Sequence, residues 1–92
     1  MKPFDWDKEK NNRLKIERDI GFEEIVVAIQ NGNLLDIVPH YKEKRYPNQK
    51  IFILNINGYA YMVPFVEDEE KIFLKTIIPS RKATKKYLLG EK

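Results

Sequence analysis

The sequence predicts a small α+β domain in which helices pack on an antiparallel sheet, and three observations lead to that prediction. At 92 residues the chain can form one hydrophobic core and is too short for two. Apolar residues first recur at helical spacing and later form strand-like runs. An Asn-Gly pair at residues 57 and 58, between two apolar runs, is typical of a hairpin turn. We therefore expect a single domain over residues 1–92, with a short N-terminal strand, about four further strands, two N-terminal helices and one basic C-terminal helix.

The chain is expected to open with a short strand and a helix. Phe4 and Trp6 flank a polar residue, an alternation that suits a strand. Asp5 or Asp7 can then cap a first helix that runs to about Arg18. Most of this helix is polar, so it should present its larger surface to solvent or to a ligand.

Only a narrow stripe of the first helix can be buried, because Leu14 and Ile16 are its main apolar residues. A second helix follows the break at residues 19–21 and ends at Asn31 and Gly32. Its apolar residues recur at intervals of three and four, as expected of a face that packs on the core: Phe22, Ile25, Val26 and Ile29.

The rest of the chain predicts strands and a final helix. Residues 34–38 form a strand that a proline ends, and residues 40–49 form a polar loop with aromatic side chains, which is a candidate functional region. Ser80 can cap a basic last helix over residues 81–89, which a glycine stops. Between the loop and this helix an antiparallel meander is expected, with strands over residues 50–56, 59–66 and 71–78.

The composition excludes several kinds of site. With no cysteine, the chain can form no disulfide and no thiolate metal site, and it has no cysteine nucleophile. His40 is the single histidine, so we expect no metal and no cofactor. No apolar run reaches the roughly 20 residues that cross a bilayer, and the start lacks the apolar segment of a signal peptide. We therefore expect a cytoplasmic protein without a membrane partner.

Positive charge is concentrated at the C-terminus. The whole chain has a formal net charge of +3, and residues 80–92 contain five basic residues against Glu91 alone. A nucleic-acid surface needs its cations on one face, so this region is a candidate for binding nucleic acid. The alternative is a solvated helix face without a ligand. The expected nucleic-acid-binding residues are Lys75, just before this region, and Lys82, Lys85 and Lys86 within it.

Several short motifs occur in the order of one known family. They are Phe4-Asp5-Trp6-Asp7, Lys10-Asn11, Phe22-Glu23-Glu24, and Arg81 followed two residues later by Ala83. On these residues the chain resembles the BrnT toxins. Members of that family open with Phe-x-Trp-Asp-x-x-Lys, continue with a Phe-Glu-Glu helix, and close on a strand ending Ile-Ser-Ala-Arg-x-Ala before a basic helix. The likeness spans nearly the whole chain.

The resemblance implies a toxin of a two-gene toxin–antitoxin module, with a fold related to the RelE ribonucleases. Such a toxin arrests growth by cleaving RNA, and a separately encoded antitoxin neutralises it and represses the operon. The implied partners are an RNA substrate and a small DNA-binding antitoxin, in a homo-oligomer or in a hetero-oligomer with that antitoxin. We expect an acidic antitoxin segment to cover the basic surface. A complex that leaves residues 81–89 exposed would contradict this expectation.

The chain departs from the family near the expected site. Glu17-Arg18-Asp19 stands where many members have Lys-His-Gly, and Pro79-Ser80 where they have Ser-Ala. Thr76, next to Lys75, replaces an arginine that is often found on the last strand. Lys50 lies where the family has a basic residue. These departures concern the catalytic set more than the fold.

Cleavage of RNA without a metal needs a base for the 2′-hydroxyl, a cation for the phosphorane and an acid for the leaving oxygen. We expect Lys10, Lys50 and Arg81 to contact phosphate, and His40 or Tyr46 to transfer protons. Each candidate has a structural alternative. The lysine of the first helix could be a solvated charge, the arginine could cap helix carbonyls, and the two loop residues could serve packing.

Two other functions stay open at this point. The domain could be a non-catalytic binding module that partners a DNA-binding repressor, which the departures at Arg18, Thr76 and Ser80 would favour. It could also be a general nucleic-acid-binding domain, which the basic tail alone would support. The affinity of such a domain should fall steeply with salt.

Overall fold

Six strands and three helices make up the part of the chain that the computed structural model describes, which is residues 2–90. The strands form one sheet in the order β1-β5-β4-β3-β2, and β6 also pairs with β4. This arrangement confirms the predicted small α+β domain. In chain order the elements are β1 (Phe4–Asp5), α1 (Lys8–Arg18), α2 (Phe22–Gln30), β2 (Leu34–Pro39), β3 (Gln49–Ile56), β4 (Tyr59–Glu67), β5 (Ile72–Leu74), β6 (Ile78–Pro79) and α3 (Arg81–Tyr87).

The hairpin of β3 and β4 forms the centre of the sheet. Asn57 and Gly58 connect its strands with φ angles of 54° and 84°, as a tight hairpin turn requires, which confirms the predicted turn. The Asn55 side chain accepts a hydrogen bond from the Gly58 N–H at 2.9 Å. β2 extends the sheet on the other side of β3 and is one of its edge strands.

The prediction of a purely antiparallel sheet is wrong, because β1 pairs with β5 in parallel. Phe4 lies opposite Ile72, and the Ile72 N–H donates to the Pro3 carbonyl at 2.9 Å. β1 has only two residues, and the alternation of side chains in so short a strand carries no information about the direction of its neighbour. The sheet is therefore mixed.

The third strand of the predicted meander is interrupted. β5 pairs with residues 65–67 of β4, and β6 pairs with residues 61–62. Between these stretches two residues of β4 oppose residues 75–77, which is the arrangement of a β-bulge. Pro64 lies in this stretch, and its carbonyl accepts the Lys75 N–H at 2.8 Å, but it has no N–H to donate in return, so the ladder lacks one bond here. The bulge turns Ile77 into the core, where it is fully buried.

Helices cover both faces of the sheet. On one face, which we call the α1–α2 face, Phe52, Leu54 and Val63 pack with buried residues of the first two helices. On the other, the α3 face, residues of β3 and β4 pack with Ala83 of the last helix. All three helices of the described residues are too short to cross a bilayer.

The first helix joins the core through fewer apolar residues than expected. Leu14 is buried, but Ile16 is 85% exposed, so the predicted stripe of both residues is wrong. The two positions lie about 200° apart around a helix, and only one of them can face the sheet. The second buried residue of α1 is Asn11.

Asn11 connects α1 to the beginning of α2. Gly21 precedes α2 and has no side chain to cap it, and the Asn11 side chain accepts the Phe22 N–H at 2.8 Å instead. The Asn11 amide donates to both carboxylate oxygens of Glu23, at 3.0 and 3.1 Å. A Cβ atom at Gly21 would lie 3.0 Å from the Asn11 oxygen, so a glycine suits this close approach. Trp6 stacks on Phe22 with ring centroids 5.7 Å apart.

We predict that Asn11→Ala lowers the free energy of unfolding by about 1–3 kcal/mol, because it leaves the buried Phe22 N–H without an acceptor. Urea denaturation of the two proteins measures the difference. Asn12→Ala is the matched control, since Asn12 is the exposed neighbour on the same helix. Equal stability of the Asn11 and Asn12 variants would contradict a capping role for Asn11.

Candidate nucleic-acid interface

The basic helix α3 is fixed to the sheet at its N-terminal end. The Ser80 hydroxyl caps it by accepting the Ala83 N–H at 3.0 Å, as predicted from the sequence. Thr84 is buried, and its hydroxyl donates to the Ser80 carbonyl and accepts the Ala60 N–H, each at 2.8 Å. The Ser80 N–H in turn donates to the Ala60 carbonyl at 3.0 Å. These bonds connect the first turn of α3 to β4.

The other end of α3 is fixed to the edge strand β2. The Tyr87 hydroxyl donates to the Asp36 carboxylate at 2.7 Å. This bond holds the pKa of Asp36 below its usual value, and it raises the pKa of Tyr87. Tyr87 and Leu88 also pack on the apolar cluster of the α3 face. α3 has only seven residues, a length at which an isolated helix is not stable in water, so these anchors hold it in place.

The outer side of α3 carries only positive charge. The helix contains four basic residues and no acidic one, and all four are exposed: Arg81, Lys82, Lys85 and Lys86. The Lys86 amine lies 5.3 Å from the Tyr87 ring and lowers the pKa of Asp36. Arg81, Lys82 and Lys85 form no ion pair within residues 2–90. Three lysines spaced by three and four residues repel one another mildly.

Lys75 extends the positive charge across the α3 face. Its amine lies 5.5 Å from the Phe73 ring, and the Lys71 amine lies 5.9 Å from the same ring. Lys71 is engaged by Asp5 at 3.1 Å, whereas Lys75 has no ion pair among the described residues. Leu74 is buried on the α1–α2 face, so by strand alternation Phe73 lies on the α3 face, and the Lys75 amine over its ring lies there too. The four predicted RNA-binding lysines are therefore on one side of the sheet.

Acidic residues lie mostly away from this face. Residues 8–30, which contain both N-terminal helices, have five basic and five acidic residues. The acidic turn at residues 67–70 is held by its own contacts: Glu67 pairs with Lys2 at 2.8 Å, and the Asp68 side chain accepts two backbone N–H groups at 2.8 Å. These N–H groups lower the pKa of Asp68. The turn is thus a folded structural element, and α3 itself contains no acidic residue.

Of the predicted catalytic residues, the structure brings His40 and Tyr46 together. Their ring centroids are 4.9 Å apart in the loop between β2 and β3. The His40 Nδ1 accepts the Lys42 N–H at 3.0 Å, and the His40 side chain is 8% exposed. The imidazole is therefore enclosed, with Nδ1 occupied by a local bond.

The remaining predicted catalytic residues are spread over the molecule. Lys50 starts β3 opposite Phe65, and by strand alternation its side chain lies on the α1–α2 face. Arg81 begins α3 beside Ala60. Five residues of β4 separate the two positions, a distance of about 17 Å along an extended strand. Lys10 lies on α1, so it cannot join Arg81 on the α3 face.

One exposed aromatic residue was not among the sequence candidates. Tyr41 is 70% exposed, and its ring stacks on His40 with centroids 4.5 Å apart. The sequence signal for Tyr41 was its position next to His40 in a polar loop, but an aromatic residue in a loop is as consistent with packing as with exposure.

Among residues 2–90, no three His, Asp or Glu side chains lie together in a way that could hold a metal ion.

We predict that Tyr87→Phe destabilises the fold at about pH 7 and has less effect at about pH 2. A folded-state pKa lowered below the reference value of 3.8 stabilises the protein above that value, and this contribution disappears as the pH falls through the folded-state pKa. Urea denaturation of both proteins at the two pH values measures it. Tyr59→Phe, at an exposed position, is the control. A difference between Tyr87→Phe and the parent that is the same at both pH values would show that the Asp36 contact does not cause it.

Comparison of the chain with protein-family models, with curated proteins and with solved structures finds no significant match. The family likeness therefore depends on the motif residues alone, and the structure shows what several of these do. Asp7 caps α1, Asn11 caps α2, and Trp6 packs on Phe22. Arg18, which departs from the family pattern, donates to the Ile77 carbonyl.

Proposed function

We propose that this chain is the toxin component of a toxin–antitoxin module and that it acts on RNA through the α3 face. The observation that carries the proposal is the outer side of α3, where Arg81, Lys82 and Lys85 are exposed without an acidic partner among the described residues. A helix that is anchored at both ends presents these cations in a fixed arrangement. Fixed cations bind the regular phosphates of a polynucleotide and release its counterions.

The reaction proposed is metal-independent transfer at a phosphodiester. The 2′-hydroxyl of one nucleotide gives up its proton to solvent as its oxygen attacks the adjacent phosphorus, the bond to the 5′-oxygen of the next nucleotide breaks, and that oxygen takes up a proton from solvent. A 2′,3′-cyclic phosphate and a free 5′-hydroxyl result. Arg81 is the residue on the α3 face that we assign to the phosphate, because a guanidinium can donate two hydrogen bonds to the charge that develops there.

We predict that the purified protein cleaves RNA and that Arg81→Ala slows this cleavage about 100-fold, the usual effect of removing one such donor. Incubation with total RNA, followed by mapping of the new ends, measures both the rate and the position of cleavage. Arg13→Ala is the matched control, since Arg13 is an exposed arginine on α1. Cleavage that Arg81→Ala and Arg13→Ala reduce equally would contradict the assignment of Arg81.

The proposed partner is a small DNA-binding antitoxin that carries an acidic segment. Such a segment would bind the same cations as RNA, so that the antitoxin and the substrate would compete for the α3 face. We also propose a cytoplasmic location for the protein, which is consistent with this regulation. The partner could also assemble the chain into a hetero-oligomer.

A second candidate function is a non-catalytic binding module that partners a DNA-binding repressor. The observation that favours it is the separation of the predicted catalytic residues, with Lys50 and Arg81 on different faces and His40 enclosed between aromatic rings. Arg18 also serves the fold by bonding the Ile77 carbonyl. In this case α3 would bind the repressor alone, and the basic helix would have no RNA substrate.

Growth arrest distinguishes the two candidates. We predict that expression without an antitoxin arrests growth, and that Arg81→Ala relieves the arrest at equal protein level, because the phosphate loses its cation. Colony formation and protein level measure the two quantities together. Arrest that persists in both Arg81→Ala and Lys50→Ala would favour the binding module, and normal growth with abundant parent protein would exclude the toxin.

A further inference from the structure

Three aromatic rings lie together at the end of the sheet. The His40 ring stacks on Tyr41, with centroids 4.5 Å apart and planes inclined by 22°, and it contacts Tyr46 in a tilted arrangement, with centroids 4.9 Å apart and planes inclined by 54°. His40 is 8% exposed, whereas Tyr41 is 70% exposed. The stack therefore has a buried centre and one outer ring that faces solvent. We call Tyr41, His40 and Tyr46 the aromatic stack.

The backbone holds the aromatic stack in place. The His40 N–H continues the ladder between β2 and β3 by donating to the Gln49 carbonyl at 3.2 Å. Within the loop, the Lys42 carbonyl accepts the Tyr46 N–H at 2.9 Å, and the Gln49 N–H donates to the Tyr46 carbonyl at 3.1 Å. The His40 ring is bonded to the Lys42 N–H. Because these bonds hold the backbone on both sides of Tyr41, they reduce the cost of ordering the loop when a ligand binds.

A cation lies beside each of the two tyrosine rings. Residues 41–46 contain three basic residues and one acidic residue. The Lys42 amine lies 6.0 Å from the centre of the Tyr41 ring, and the Arg45 guanidinium lies 5.6 Å from the centre of the Tyr46 ring. An exposed aromatic ring with adjacent cations is the combination by which proteins bind single-stranded nucleic acid, because the ring stacks on a base while the cations contact phosphate.

The aromatic stack lies on the same side of the sheet as α3. Asp36, which bonds α3, and His40 are both on the α3 face by strand alternation. Four residues of extended chain separate them, a distance of about 13 Å. A single strand bound along this face would therefore reach from the cations of α3 to the ring of Tyr41.

We propose that Tyr41 is a base-stacking residue, and that the RNA which this protein binds is single-stranded. The inference rests on the proposed function, since it names the class of RNA that the α3 face takes. In a duplex both faces of each base are covered by neighbouring bases, and only an unpaired base offers a face to Tyr41. The role of His40 is then to hold Tyr41 in position by stacking on the other face of its ring.

Equilibrium binding of short oligonucleotides tests whether Tyr41 stacks on an unpaired base. The probes are a labelled oligouridine, an abasic oligonucleotide of the same length and charge, and a duplex of that length. We expect the parent protein to bind oligouridine about tenfold more tightly than the abasic strand, as one stacked base would produce. Tyr41→Leu should bind the two strands equally, and Tyr41→Phe should retain the preference.

Two controls distinguish base stacking by Tyr41 from RNA binding by α3. Tyr59→Leu, at another exposed tyrosine, should leave the preference unchanged, and the pair Lys82→Gln with Lys85→Gln should weaken binding of both strands alike. If Tyr41→Leu keeps the preference for oligouridine over the abasic strand, or discriminates against the duplex as strongly as the parent does, the stacking role of Tyr41 is overturned while binding through α3 stands. If Tyr41→Leu weakens the binding of a repressor and leaves RNA binding unchanged, Tyr41 contacts a protein partner and the inference is overturned. A parent protein that binds none of the probes overturns both proposals.

Discussion

The hydrogen bonds of one asparagine hold together the half of the molecule that covers the α1–α2 face. α2 begins after a glycine, which has no side chain to satisfy the first N–H groups of a helix. Asn11 satisfies one of them from the neighbouring helix and also binds Glu23, whose pKa it lowers. Lys15 adds an ion pair to the same carboxylate at 3.1 Å. α1 has almost no apolar surface, so its orientation on the sheet depends on this polar junction.

The opposite face depends on a different arrangement, in which a short and strongly charged helix is made stable by what lies beneath it. Thr84 and Tyr87 are the polar contacts of α3 with the sheet, and they bond β4 and β2 respectively. These contacts offset the repulsion among the lysines of the outer side. The two faces thus differ in role. The N-terminal helices form the larger part of the core, and the last helix carries unpaired charge.

The local elements could be predicted from the sequence because their signals are local. Asp7, Ser80 and the pair of residues 57 and 58 act within four residues of their own position. The sequence predicts the cap at Ser80 and the turn directly, and it predicts Asp7 as one of two possible caps of α1. The parallel pairing of β1 and the bulge before β6 depend on distant parts of the chain. No pattern within a two-residue strand could show them. For the same reason the sequence identified basic residues as site candidates without showing that Lys50 and Arg81 face different ways.

The pairing of β1 with β5 also constrains the order in which the molecule assembles. The β3–β4 hairpin joins residues that are close in sequence and can form early, whereas Phe4 must wait for Ile72. During synthesis the N-terminal strand therefore remains unpaired until most of the chain has been made. α3 follows all six strands in the chain, so during synthesis the basic face is completed only after the sheet, and a chain that ended before residue 81 would lack it.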